Sequence, residues 1–551
     1  MATARTSPFF RSIVQIWLPL FLIIAFATIW LWPSEDFARF YRVVATFPIV
    51  GLATLLLLTW WFFLTNVRWP TRLYVPVLLL IVFVFSIRTV DFTGDMMPIF
   101  SFRWQSNPAA ELAAYHQSQQ TEVAQSADDK EPPVPPDDPS DYPEYRNRTR
   151  DGVAFGPALA RDWKTKPPRK IWEHECGGGY AGFAVAGDNA VTTEQWDNEN
   201  EAVVCYDANT GKLRWHYQYP AHFRDPRAEG PMATPTLVDG EVYSLGGTGQ
   251  LVCLQLASGK LKWQVDILEG NKNLAWGMSG SPLVYDDVVV VSPGDQVGSQ
   301  EGRSVIAYNR KTGKKVWGAG NVKGGYSSPM LATLGRVRQI LVFEGSRVAA
   351  YSPSGAGELW SLPWPAPNDI NVAQPVILAD DRIFITSGYA SRCGIVRVLK
   401  EHDQLASKPE LGLACGPCAA TYLAEQKVTL KPEEEWHNSA MRCRFCSPVL
   451  YNGMIYGLNE GTLECINPKD GRRVWRGGRY LQGQLLRCDD LLLIMAESGE
   501  LALVQAARAE SKEVGRIKVL PGDKNWNCPC LAHGRAYIRN HMKMACYDLR
   551  E

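Results

Sequence analysis

Five ten-residue stretches decide the fold: YDANTGKLRW at 206–215, LQLASGKLKW at 254–263, YNRKTGKKVW at 308–317, YSPSGAGELW at 351–360 and INPKDGRRVW at 466–475. Each ends on Trp nine residues after its start, and four carry a Gly four residues before that Trp: Gly211, Gly259, Gly313 and Gly471. Polar side chains ahead of the Gly bond their own backbone, and Gly accepts positive φ, so the phrase reads as a hairpin turn between two strands. The fourth copy has Ala356 at the Gly position, flanked by Gly355 and Gly357, so its turn is predicted to shift by one residue.

A second signal precedes each phrase: an apolar run, a tight polar turn, and another apolar run. The turns fall at Asp239-Gly240, Asp286-Asp287, Asp380-Asp381, Asn452-Gly453 and His533-Gly534. Several of these units open with Pro, at Pro235, Pro282, Pro329, Pro375 and Pro448, where a missing N–H does least harm to a strand. Each unit therefore supplies four strands. Trp172, Trp215, Trp263, Trp317, Trp360, Trp436 and Trp475 recur at intervals of 39 to 76 residues, the spacing of four-stranded propeller blades, with Ile517 as the eighth equivalent. The strands around Cys528 to Asp548 have no final Trp strand of their own, while Lys170-Ile171-Trp172 precedes the first complete unit. The two ends are expected to share one blade and close a ring of eight, which removes exposed sheet edges.

The chain has 551 residues and a formal net charge of zero, so no field draws it to nucleic acid. Ahead of the repeats lie uncharged apolar runs at 12–32, 43–67 and 73–87, which read as about three transmembrane helices, 12–32, 43–67 and 73–90, within residues 1–100. Trp30, Leu31 and Trp32 crowd the place of a signal-peptide cleavage site, so the first helix is expected to be retained. Arg5 and Arg11 before the first run, and Arg68 and Arg72 between the second and third, place the N-terminus in the cytoplasm and the C-terminal body outside. Residues 101–154 read as an acidic Pro-rich linker. Between Thr121 and Tyr145 stand eight acidic residues, six Pro and one Lys, too polar to fold alone. The propeller is assigned to 155–551.

The xTGKxxW phrases resemble the PQQ-like repeat of quinoprotein dehydrogenases and of the propeller lipoprotein of the outer-membrane β-barrel assembly machinery. The resemblance implies an all-β, eight-bladed PQQ-like propeller behind an α-helical membrane anchor. It leaves two functions open: a non-catalytic interaction scaffold with a protein or peptide partner at the rim, or a PQQ-dependent dehydrogenase passing electrons to the membrane. Dehydrogenases of this kind hold the quinone on the axis with Ca²⁺ and an Asp base, and many stack it on adjacent cysteines. No Cys-Cys pair occurs here, which favours the scaffold, whereas membrane-bound glucose dehydrogenases share the order of anchor then propeller. Glu194, Asp197, Glu344 and Glu460 are the carboxylates considered for the axis, and solvated loop acids are the commoner reading of each.

Thirteen Cys are present. Cys415-Gly-Pro-Cys418 and Cys443-Arg-Phe-Cys446 form two CxxC pairs with the spacing of a four-thiolate Zn²⁺ knuckle. An oxidising compartment favours disulfides at the same positions, free thiols are the third reading, and all three stand. Cys205, Cys253, Cys465 and Cys546 occupy apolar strand positions and read as small core residues.

Overall fold

The computed structural model describes residues 18–31, 39–65, 67–105, 112, 114–115, 137–196, 199–225, 228–294, 301–379, 381–389, 391–400, 429–522 and 524–551. The chain divides into two compact units, Met1–Pro108 and Ala109–Glu551.

The first unit contains three apolar helices, α1 (Leu18–Leu31), α2 (Arg39–Leu64) and α3 (Trp69–Ser86). The apolar stretches Tyr41–Phe63 and Trp69–Ser86 are long enough to cross a bilayer, and α1 is shorter among the described residues. Arg72 closes the end of α2, its guanidinium donating to the carbonyls of Phe62, Thr65 and Val67. The Phe62 carbonyl is one of those a helix C-terminus leaves without partners. The third run was expected over 73–90, but its helix stops at Ser86. Ile87, Thr89 and Val90 are β-branched and instead pair as a strand, Ile87–Phe92, with Pro98–Phe102.

In the second unit, among the described residues, eight blades of four antiparallel strands follow one another in chain order, and the sheet of the seventh gains a fifth, parallel strand, Val153–Ala154. Blades 1 to 7 begin with inner strands Ala184–Ala186, Thr236–Val238, Leu283–Tyr285, Met330–Leu334, Val376–Ala379, Val449–Tyr451 and Gln484–Cys488. Blade 8 takes three strands from Cys530–Asp548 and its outer strand, Arg169–Glu175, from the start of the unit, with Cys546 facing Trp172 and Asp548 facing Arg169. This is the ring closure read from the sequence. The first turns of the blades have the mirror-image form expected of two-residue hairpins, with positive φ at Asp239 (51°) and Gly240 (74°), Asn452 (45°) and Gly453 (70°), and His533 (52°) and Gly534 (72°).

The repeated phrase joins one blade to the next. Gly259 stands at φ +71°, and a Cβ there would lie 2.5 Å from the Trp215 ring. Gly211, Gly313, Gly355 and Gly471 face Trp172, Trp263, Trp317 and Trp436 in the same way. The indole of Trp215 donates to the Leu256 carbonyl, that of Trp263 to Arg310, and that of Trp475 to Ala507. In the fourth copy Gly355 takes the turn position, one residue earlier than in the others.

Blade 7 corrects the sequence reading. Leu503 pairs with Gly515 just before the bulge, where Cys205 in blade 1 pairs with Trp215. The counterpart of the recurring Trp is therefore Gly515, two residues before Ile517. A Cβ on Gly515 would collide with buried Trp163, so an indole from outside the repeat fills the space. The four strand cysteines behave as expected. Cys205, Cys253, Cys465 and Cys546 are buried, each directly opposite a Trp, where a small side chain leaves room for the ring.

Candidate functional site

The linker assignment needs correcting at its C-terminal end. Residues 137–154 run into the ring: Asp137, Arg148 and Thr149 stay exposed, while the guanidinium groups of Arg146 and Arg150 are buried and donate to carbonyls of the blades. Tyr142 exchanges two backbone hydrogen bonds with Val185 of blade 1, and Leu237 of blade 2 donates to the Pro143 carbonyl at 2.8 Å. Asp141 accepts from the Gly187 amide and meets His533 at the first turns of blades 1 and 8. The segment leaves alongside blade 7, where Val153 and Ala154 pair in parallel with Arg487 and Cys488.

Between entry and exit the segment carries two arginines, each 1% exposed, into the ring. Arg146 donates to the carbonyls of Pro448 (2.9 Å) and Leu485 (3.0 Å), at the inner strands of blades 6 and 7. Arg150 donates to Ser281 (3.0 Å), Pro282 (2.5 Å) and Pro329 (2.6 Å) at blades 3 and 4, and pairs with Glu144 at 2.9 Å. Arg146, Asn147 and Arg150 all take positive φ, a cost that non-glycine residues bear only where the surroundings fix them. Burial raises the Glu144 carboxyl above its ordinary range, and Arg150 only partly offsets this.

Around the same opening, hydroxyls tie blade to blade. Gly182 donates to Thr234 Oγ1, Thr234 to Ser281 Oγ, Ser281 to Ser328 Oγ, and Gln374 to Ser447 Oγ, at 2.9 to 3.0 Å. Sequence reasoning singled out the prolines that follow these residues and missed the hydroxyls, although Thr-Pro and Ser-Pro recur at 234–235, 281–282, 328–329 and 447–448.

The loops that enter the inner strands, with one loop inside blade 5, carry a chain of half-buried rings. Tyr180 meets Trp526 (centroids 5.2 Å apart), Trp526 meets Phe445 (5.0 Å), Phe445 meets Tyr389 (6.4 Å), Tyr389 meets Trp276 (6.3 Å), and Trp276 meets Tyr326 (5.2 Å). Strand alternation puts these loops at the end of the ring opposite the turns at Gly187 and His533, so the chain of rings crosses the mouth that the inserted segment does not enter. Tyr389 holds φ +57°, a further strained position at this mouth. Two cations lie over the rings: Lys524 over Tyr180 (5.9 Å) and Trp526 (5.2 Å), and Arg444 over Tyr389 (4.8 Å). No periodicity marks these loop aromatics, and sequence reasoning missed all six.

The carboxylates considered for the axis are engaged. Glu194 accepts from Tyr206, the Gly177 amide and Trp196; Glu344 from Tyr351 and Arg347; Glu460 from Arg444. Asp197 lies outside the described residues. Glu201, bonded to Tyr219 and the Gly247 amide, is pushed up to about 7 by burial. Of the candidate metal ligands, Cys415 and Cys418 lie outside the described residues, while Cys443 and Cys446 are buried side by side. Burial holds the Cys443 thiol well above its ordinary value, and its hydrogen bond to Cys446 holds the Cys446 thiol down. Among the described residues no group of three or more His, Cys, Asp or Glu is placed to hold a metal.

The family model described as "Outer membrane protein assembly factor BamB" matches residues 162–244 and 224–477. An outer membrane protein assembly factor BamB from Shewanella oneidensis is 26% identical over 333 residues, covering 54% of this chain and 78% of that protein. The dehydrogenase subunit of a quinone alcohol dehydrogenase from Komagataeibacter europaeus is 32% identical over 127 residues, covering 20% of this chain but only 16% of that protein. Among solved structures, BamB from Moraxella catarrhalis aligns with TM-score 0.46 and 12% identity over 69% of this chain and 99% of its own. Quinohemoprotein alcohol dehydrogenase from Comamonas testosteroni aligns with TM-score 0.48 and 13% identity over 81% of this chain and 84% of its own.

The residues present do not fit a quinone of the dehydrogenase kind. A planar tricarboxylate needs an open axial slot and carboxylates left over to hold its Ca²⁺. Here the axis holds residues 137–154, and Glu194, Glu344 and Glu460 are bound within the protein.

Proposed function

We propose, from the premise that the chain belongs to the family described as "Outer membrane protein assembly factor BamB", that it is a membrane-anchored, non-catalytic binding propeller. In this reading the three apolar helices cross the cytoplasmic membrane and the propeller stands on its outer side, where it engages a polypeptide segment of a partner protein. The observation that carries it is the plugged axis: residues 137–154 fill the interior, so binding falls to the aromatic mouth and rim. Tyr180, Trp276, Tyr326, Tyr389, Phe445 and Trp526 offer ring faces already held in place, and buried Lys524 packs over two of them, Tyr180 and Trp526.

Photo-crosslinking in intact envelopes tests this, with a benzophenone amino acid at Tyr326 or Tyr180 and, as control, at Asp188 on the opposite end. A discrete protein adduct from the mouth sites that weakens in Trp526→Ala supports the reading. Equal adducts from both ends, or none from the mouth, refute it. The dehydrogenase reading retains the short stretches of similarity to quinone alcohol dehydrogenases. Quinone absorbance retained through gel filtration after loading with PQQ and Ca²⁺, together with dye reduction by alcohols or sugars, would establish it instead.

A further inference from the structure

The loop from the outer strand of blade 5, Leu430–Asn438, to the inner strand of blade 6, Val449–Tyr451, carries Cys443-Arg444-Phe445-Cys446. Its two thiols differ from the strand cysteines, which sit singly opposite tryptophans. Cys443 (0% exposed) and Cys446 (2%) belong to one apolar cluster and lie within hydrogen-bonding reach of each other. Each is fixed from another direction. The Cys443 amide donates to Thr386 Oγ1 at 3.1 Å, and the Cys446 thiol points to the Leu458 carbonyl at 3.8 Å. Gly457 leaves room for the sulfur, since a Cβ there would lie 3.2 Å from Cys443 Sγ. Arg146 of the inserted segment bonds the Pro448 carbonyl two residues past Cys446, and its Nε has no acceptor. A buried guanidinium with a spare donor favours a thiolate nearby. The two residues between the cysteines both reach the mouth, Arg444 to Glu460 and Tyr389, Phe445 to Tyr389 and Trp526.

We propose that Cys443 and Cys446 are a dithiol that closes to an intrachain disulfide by exchange with a disulfide donor, fixing the loop that presents Arg444 and Phe445. The Cys446 thiolate attacks one sulfur of the donor, and the donor's other half leaves as a thiolate and takes up the proton that Cys446 lost. Cys443, deprotonated in turn, attacks Cys446 Sγ of the mixed disulfide and expels the second donor thiolate, which takes that proton. Two protein thiols are oxidised, one donor disulfide is reduced to two thiols, and no proton is left over. Because both sulfurs are buried, the exchange waits on local opening of the 439–448 loop and runs faster in sub-denaturing urea.

The test equilibrates the full chain in detergent with mixtures of reduced and oxidised glutathione, then unfolds it in acid, alkylates it with N-ethylmaleimide and maps the peptides by mass. The expected result is a peptide spanning 443–446 that loses two hydrogen masses and both labels together as the buffer becomes more oxidising, while Cys205, Cys253, Cys465 and Cys546 label throughout. In Cys443→Ser the surviving Cys446 should instead carry glutathione. Labelling of both cysteines at every ratio overturns the proposal. So does linkage of either to Cys415 or Cys418, or one equivalent of zinc retained with all four thiols protected.

Discussion

If residues 137–154 are structural, Arg150→Met should be among the most damaging single changes in the chain. The Arg150 guanidinium bonds three carbonyls on two blades and neutralises Glu144 at 2.9 Å, with the Arg side chain 1% exposed and the Glu side chain 12%. Removing one member of a buried pair leaves the other charge uncompensated, at about 3–5 kcal/mol. Glu144→Leu leaves Arg150 on its carbonyls and should cost less, about 2 kcal/mol, within the range for losing a hydrogen bond to a charged group. The double variant strands only neutral acceptors, so it should be more stable than Arg150→Met alone, which requires a coupling larger than the Glu144→Leu loss, about 3 kcal/mol. Pulse proteolysis of the full chain across a urea series, scored on the propeller fragment, measures all three. A loss below about 1 kcal/mol for Arg150→Met, or additive single losses, would mean that the segment does not occupy the ring, and the argument for an outward-facing site would go with it.

Trp163→Ala should cost about 3–5 kcal/mol, as much as Trp215→Ala, although only Trp215 belongs to the repeat, because both empty a buried indole site; thermal unfolding compares them. Gly259→Ala, at φ +71° against the Trp215 ring, should lose clearly more urea resistance than Gly453→Ala, at φ +70° with nothing within 4 Å, where only the backbone cost of about 1 kcal/mol applies. Glu201 has its folded carboxyl raised from 4.5 to about 7, so it contributes stability that is full below 4.5 and lost as pH rises through about 7. The loss amounts to about 3 kcal/mol at most. Urea midpoints taken at acid and at alkaline pH should differ in the parent and converge in Glu201→Gln.

The blades were legible because their signals are local. Gly211, Gly259 and Gly313 with their tryptophans repeat in register, and tight polar turns such as Asp239-Gly240, Asp286-Asp287 and Asn452-Gly453 announce five of the first hairpins. What escaped was every feature supplied from a distance. Ile517 reads as the eighth equivalent in the sequence, yet Gly515 holds that position and Trp163, some 350 residues earlier, fills it. Arg146 and Arg150 sit in a polar, Pro-rich stretch whose composition argues for solvation, and only the blade carbonyls explain their burial. The aromatic mouth is assembled from six loops, one ring from each, so no window of sequence contains it. Cys443 and Cys446 were visible as a pair, but the neighbouring Arg146 was not.

The plug also explains why the axis favours protein over a small ligand. Closing eight sheets into a ring turns the carbonyls at the start of the inner strands toward the centre, where each must find a donor. Arg146 and Arg150 supply five such bonds across blades 3, 4, 6 and 7, and the Ser and Thr hydroxyls before the prolines serve the amides beside them. An axial ligand would have to displace both arginines and then satisfy those carbonyls itself. Its affinity would be reduced by the fraction of molecules in which the plug is open, which the buried Arg150–Glu144 pair keeps small. A ligand at the mouth pays no such penalty, because its half-buried rings are accessible with the plug in place, so the same contacts that stabilise the ring direct recognition to its aromatic end.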